Sequence, residues 1–354
     1  MQAQLKEVTT VPTHSYKSSK PAEMLHTFCE PIREFLRDNS INEIAINKPQ
    51  ELWTYGNRIW TRHEAPKLTL EHCLQLADLI AGFNGASLAD YPVAEGELQY
   101  GERVEVIIPP ACTPETVSFT IRRPSVVDKT LEELDAEGSF DDIEFTSFEG
   151  LSKTQEALLQ LKEDKRTVDF LDLAVKSKQN IMVVGKTGSG KTTISKSIIA
   201  RIPSYERIIT IEDVHELKIN NTPNKVHLFY KQPKSAQDKT TFTAKKALIA
   251  TLRMFPDRIM LAECRGDETW DYVKSLESGH AGSISTAHAG SAIDAFETLL
   301  SKVKDSESGA HLDSDFVLRK LHANIDVVLF YSEYKLREVY YNPEHAMKLK
   351  RLEK

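Results

Sequence analysis

Several common classes are excluded by what the 354-residue chain lacks. It has only four cysteines, Cys29, Cys73, Cys112 and Cys264, and no two of them form a C-x-x-C pair. That spacing argues against a disulfide framework and against a zinc site built from neighbouring residues, and it suits reduced cytoplasmic thiols. No run of about 18 apolar residues occurs, so no membrane-spanning helix is expected. Residues 1–20, rich in Thr, Ser and Lys, lack the apolar centre of a secretory signal. Nor is there a basic excess: 45 Lys+Arg stand against 52 Asp+Glu, a net charge of −7. The surface as a whole offers nucleic acid no counterion-releasing face, and nucleic acid is not expected as a direct tight ligand.

What is present is an ordinary soluble composition, 40% hydrophobic and 27% charged, on a chain long enough for two domains. Residues 1–20 read as a flexible tail and residues 21–130 as a smaller mixed α/β domain. In that domain helical spacing over 21–38 and 70–83 surrounds short strands at 41–46, 51–55 and 58–61. Tyr55-Gly56-Asn57-Arg58 reads as a hairpin turn. Trp53 and Trp60 are read as packing this sheet, with base stacking as their other use. Residues 103–108 and 116–122 read as paired strands carrying Arg103, Arg122 and Arg123, either as surface ion pairs or as guanidinium forks for phosphate. Residues 132–149 hold eight acidic residues and no basic one, which makes 131–150 an inter-domain linker.

From 151 to 354 strands and helices alternate, the pattern of a mostly parallel sheet covered on both faces. An apolar strand at 180–184 runs into Gly185-Lys186-Thr187-Gly188-Ser189-Gly190-Lys191-Thr192, and a helix is expected from Thr193 to 201. Strand, glycine loop and helix in this order make a P-loop, whose N–H groups and helix N-terminus point at phosphate. Lys191 is then placed to reach the β- and γ-phosphates of ATP, and the Thr192 hydroxyl to ligate Mg²⁺. Three further segments bear on the chemistry. Glu212 and Asp213 end one strand, where a carboxylate holds Mg²⁺ through water or polarises an attacking water. Glu263 ends the apolar strand 258–262 as the acid of a Walker B segment. His280 and His288 flank another strand end, with His288 as the γ-phosphate sensor and His280 as a hydrogen-bonded core residue. Residues 218–246 carry Lys225, Lys231, Lys234, Lys239, Lys245 and Lys246 around Phe229 and Tyr230. They read as a solvated insertion or subunit contact, or, in a competing RecA-like nucleic-acid motor, as a basic stacking groove.

The ordered set is more specific than any one motif. P-loop, Thr210-Ile211-Glu212-Asp213, Arg253-Met254, Glu263-Cys264-Arg265-Gly266 and Gly279-His280-Ala281-Gly282 with Thr286-Ala287-His288 resembles the Walker A, Asp box, Walker B and His box of the secretion ATPase superfamily. The Arg253-Met254 and Arg265-Gly266 pairs are similar to those of the hexameric traffic ATPases of type IV secretion and conjugation systems. Gly101-Glu102-Arg103 and Ile121-Arg122-Arg123 look like that family's two arginine segments. Ala262, Cys264 and Val214 depart from its commoner residues.

The resemblance implies a RecA-like ATPase domain over 151–354 and a homohexamer at the cytoplasmic face, peripheral on the inner membrane, touching other secretion ATPases and inner-membrane components. It implies ATP between the two domains of a protomer, Lys191, Thr192, Glu212, Glu263 and His288 at the phosphates and Mg²⁺, and Arg103 and Arg122 approaching from the N-terminal domain. A nucleotide-gated scaffold with slow hydrolysis is the remaining alternative.

Overall fold

The computed structural model describes residues 20–124, 129–141, 143, 150–233, 235, 238 and 240–352. Residues 1–19 of the expected tail, residues 142 and 144–149 of the acidic segment, and Lys234 and Lys239 lie outside the described residues.

The first half forms one antiparallel sheet from β1 (Glu43–Ile46), β2 (Glu51–Gly56), β3 (Ile59–Glu64), β4 (Val93–Glu97), β5 (Arg103–Ile107) and β6 (Ser118–Arg122), in the order β3-β2-β1-β6-β5-β4. Asn57 and Arg58 both have positive φ, 50° and 63°, which is what the tight β2–β3 hairpin demands. β4, unassigned from sequence, is polar and contains Gly96, and it survives as an edge strand paired only to β5. The helix expected over 21–38 is broken into Lys20–Phe28, a 3₁₀ turn at Glu30–Ile32 and Arg33–Arg37. Pro31 causes the break, because it has no N–H to donate and its ring crowds the preceding turn. Helix Leu70–Phe83, started by the Thr69 side chain accepting from the His72 N–H, buries Cys73, Leu76 and Ile80 in one core with Ile44, Val106 and Phe119.

The acidic segment is not irregular throughout. Thr130 and Glu133 make a reciprocal capping box that starts a short helix, Leu131–Ala136, with no buried residue. Ser152 and Gln155 repeat the device for helix Lys153–Glu163.

The second half contains β7 (Ile181–Val184), β8 (Ile208–Glu212), β9 (Lys225–Phe229), β10 (Arg258–Leu261), β11 (Ile284–Ala287), β12 (Val327–Ser332) and β13 (Lys335–Tyr341). β10-β8-β9 pair in parallel, as do β11-β7-β12, with β13 antiparallel on β12. The Cys264 N–H donates to Thr286 O at 2.8 Å and joins the two groups just past β10 and β11. β7, β8, β10 and β11 are buried along their whole length, as parallel strands covered on both faces must be.

β9 is the main correction to the lysine-rich reading of 218–246. Val226 and Leu228 enter the core, and Tyr230 is 2% exposed, so it offers no free ring for a base. Phe229 packs beside His215. Trp53 is buried and Trp60 sits against Tyr55 and Phe255, both in packing roles.

Arg207 holds the two halves together. Fully buried, it donates to Asn47 Oδ1 (2.8 Å) and Thr120 Oγ1 (3.3 Å) of the first sheet, and to Asn224 Oδ1 (2.6 Å) and Met254 O (3.0 Å) of the second half. Burial lowers its guanidinium to about 10, still protonated at neutral pH. An Arg with all its donors met is the form in which such a charge can be buried.

Candidate active site

The P-loop connects the end of β7 to helix Lys191–Ile199. Gly190, with φ of 101°, is the N-cap, so the helix starts two residues earlier than expected. Gly185 is required for a different reason: a Cβ there would stand 2.1 Å from Tyr331 O and 2.8 Å from Ser189 Oγ. Lys191 Nζ lies across the loop, donating to Gly185 O (2.8 Å) and Lys186 O (2.9 Å). Its partial burial lowers the ammonium pKa, with Glu263 opposing. Ser189 is buried with an unpartnered Oγ, and its N–H donates to Lys186 O. Thr187, Gly188, Gly190, Lys191, Thr192 and Thr193 face a cavity of about 630 Å³ whose other walls include Asp213, Glu216, Glu263, Arg265 and His288.

Glu263 and His288 meet as expected. His288 Nε2 is 2.8 Å from Glu263 Oε1, and Nδ1 is 3.2 Å from Gly185 O and 3.5 Å from Lys191 Nζ. The ring thus spans the carboxylate beyond β10 and the P-loop backbone. Arg265 fixes the other side of that carboxylate, Nε to Glu263 Oε2 at 2.8 Å, and also pairs with Asp213. His280 lies apart, hydrogen-bonded to Pro256 O at 3.2 Å, with burial lowering its pKa.

Glu212 does not join this group. Its side chain is fully buried and turned toward β9, accepting from Thr210 Oγ1 (2.6 Å), His227 Nδ1 (3.2 Å) and the N–H groups of Leu217 (2.7 Å) and Glu216 (2.8 Å). Burial raises its pKa, but the hydrogen bonds win and hold it below the ordinary carboxylate range. The exposed Glu216, absent from the sequence-based site, takes the place expected of Glu212: the Thr192 hydroxyl donates to its Oε2 at 3.2 Å. The signal for it was present, since Glu216 is the third acid within five residues.

The arginines of the first half are not at the P-loop. Every residue lining that cavity falls between 187 and 334, so within one chain it is not an inter-domain cleft. Arg103 and Arg122 are register partners on β5 and β6 and line, with Arg123 and Lys129, a separate cavity of about 1010 Å³. Arg122 stands 3.6 Å from Glu43, and Arg123 is used up on the carbonyls of Asp38 and Ile41. The expectation that they meet the nucleotide of their own chain therefore fails on position.

The donor set suits Mg²⁺ as the counterion of a triphosphate. A threonine hydroxyl and the carboxylates of Glu216, Glu263 and Asp213 are hard oxygen ligands on one cavity, beside a P-loop whose buried Ser189 Oγ is unpartnered.

A parallel sheet with a P-loop at the end of an inner strand, and acids just beyond the neighbouring strands, defines a RecA-like P-loop ATPase. Residues 152–329 match the family described as Type II/IV secretion system protein. The chain is 39% identical over 341 residues to the type IV secretion system protein VirB11 of Bartonella quintana, covering 92% of this chain and 95% of that one. It is 39% identical over 272 residues to the type IV secretion system protein PtlH of Bordetella pertussis, with 76% and 79% covered. The crystal structure of the VirB11 ATPase from the Brucella suis type IV secretion system, in complex with sulphate, superimposes with a TM-score of 0.87 at 36% identity, covering 94% of this chain and 98% of that one. The chain belongs to the VirB11 family of type IV secretion ATPases, and it is an ATPase motor of that kind. Among the described residues no helix is long and apolar enough to cross a membrane.

Proposed function

We propose that the chain works as a homohexameric, Mg²⁺-dependent ATPase at the cytoplasmic face of the inner membrane, powering pilus assembly or substrate translocation through contacts with other secretion ATPases and inner-membrane components. The observation that carries this reading is the convergence, on one cavity, of Lys191 and Thr192 with Glu263 braced by His288 and Arg265. Lys191 and the loop N–H groups hold the phosphates, and Thr192 with Glu216 and Glu263 holds Mg²⁺ directly or through water. When bound, the ion supplies positive charge against the phosphate oxygens. Glu263 is the carboxylate best set to orient the attacking water, because His288 and Arg265 fix both of its oxygens. His288, touching Glu263, Lys191 and Gly185 O together, carries the occupancy of the γ-phosphate position to the loop. Arg103 and Arg122 serve the nucleotide of a neighbouring protomer, and the segment 131–150 is the hinge between the tiers.

The test pairs mass in solution with phosphate release, with and without ATP and Mg²⁺. Assembly to six copies of the 40.0 kDa chain with sustained release is expected. A monomer inert under every condition overturns the reading, and a ring that binds ATP but barely hydrolyses it with or without membranes replaces it by the nucleotide-gated scaffold.

A further inference from the structure

Beside the P-loop cavity, the turn from β8 toward β9 brings together three side chains that the ATPase chemistry leaves unused. Glu212, His215 and His227 each offer a donor atom within 4.8 Å of the other two. Glu212 Oε1 and His227 Nδ1 are 3.2 Å apart, close to the roughly 3.3 Å that separates two tetrahedral ligands at zinc bond lengths. The two imidazole rings lie with centroids 4.6 Å apart. Glu212 and His227 are buried, whereas His215 is exposed, which gives the cluster an open side for metal entry and for a fourth ligand from solvent. The other oxygen of Glu212 is held by the N–H groups of Glu216 and Leu217, and Thr210 Oγ1 donates to the first, so the carboxylate is oriented in advance by a shell of its own. Two imidazoles and one carboxylate with an open position suit a borderline divalent ion, zinc above all, and do not suit Mg²⁺, which demands oxygen ligands in octahedral array.

We propose that Glu212, His215 and His227 form a zinc-class transition-metal site that clamps the turn 212–217 and slows ATP turnover when filled. The turn ends at Glu216, whose carboxylate holds the Thr192 hydroxyl, so fixing His215 to Glu212 fixes Glu216 in that position. The regulatory half of this proposal rests on the P-loop cavity being the ATPase centre. The binding half stands without it.

The test uses the full chain, free of affinity tags and stripped of metal, titrated with zinc chloride by calorimetry, with bound metal counted per chain. The parent chain is expected to bind one zinc that His215→Ala loses or binds at least tenfold more weakly, and His227→Gln does the same. Zinc is expected to slow phosphate release by the parent chain and not by His215→Ala, whose zinc-free turnover matches the parent. Equal zinc binding by the parent and His215→Ala, or none by either, overturns the site. Equal inhibition of both overturns the link to turnover, because the metal then acts at the phosphates. A chain without turnover under any condition refutes the ATPase reading, and the titration still decides the metal site.

Discussion

Replacing Glu212 and Glu216 one at a time separates a structural acid from a working one. Glu212 accepts four hydrogen bonds with no solvent exposure. In Glu212→Gln the amide keeps one acceptor oxygen and turns an NH₂ group toward two of the four donors, either the backbone pair or Thr210 and His227. Each buried donor left facing another donor costs about 1–3 kcal/mol, so the loss is on the order of 2–6 kcal/mol. At roughly 2–4 °C per kcal/mol for a domain of this size, Tm falls by at least about 4 °C. Glu216 is exposed and has a single polar contact with Thr192, so Glu216→Gln keeps the parent Tm. Its turnover falls about 10²-fold, the lower end of what a positioned proton-handling group supplies. Scanning calorimetry and phosphate release on the same preparations make the comparison, with turnover taken well below each Tm. If Glu212→Gln melts with the parent and abolishes turnover, while Glu216→Gln turns over normally, the assignment of the two acids is refuted.

Arg258 is fully buried and pairs with Glu206 through Nε (2.5 Å) and a second guanidinium nitrogen (3.0 Å). Arg258→Ala strands that carboxylate and costs about 3–5 kcal/mol in urea unfolding, most of it recovered by the Arg258→Met/Glu206→Leu pair; no recovery means the loss lies elsewhere. Burial pushes the Glu105 carboxyl up to about 8, so the stability it contributes is full below 4.5 and is lost as pH rises through about 8. Glu105→Gln therefore melts above the parent at pH 9, by an amount on the order of a few kcal/mol, and with it at pH 4.5; equal Tm values at both pH values contradict this. Arg122→Ala slows turnover by up to ~10³-fold, as expected of an arginine supplied to the reacting phosphates. Mixing it with Lys191→Ala subunits restores part of the activity if Arg122 works in a neighbour, and no restoration rules out that arrangement.

The parts of the site that were legible in the sequence are those whose geometry is local. A glycine loop between a buried strand and a helix can fold in few ways, and Lys191 and Thr192 follow from it. Glu263 and His288 were legible because each ends or follows an apolar strand, and parallel strands bring such ends together. Glu212 and Glu216 could not be told apart, because which carboxylate turns inward is decided by His227 on β9, a strand hidden among lysines. The fate of Arg103 and Arg122 depends on how the first sheet sits against the second half, which Arg207 fixes through Asn47, Thr120 and Asn224. No local pattern announces a contact of that kind. The short helix at 131–136 was legible in principle from the Thr130-x-x-Glu133 spacing, but the surrounding acidic run masked it.

The account turns on Lys191 as the cation that holds the transferred phosphate. Phosphate release by Lys191→Ala, measured on a preparation whose far-UV circular dichroism and Tm match the parent, tests it most directly. Loss of release to background is the predicted result. Release at the parent rate by the folded variant contradicts it, and with it the assignment of the P-loop cavity as the seat of ATP hydrolysis.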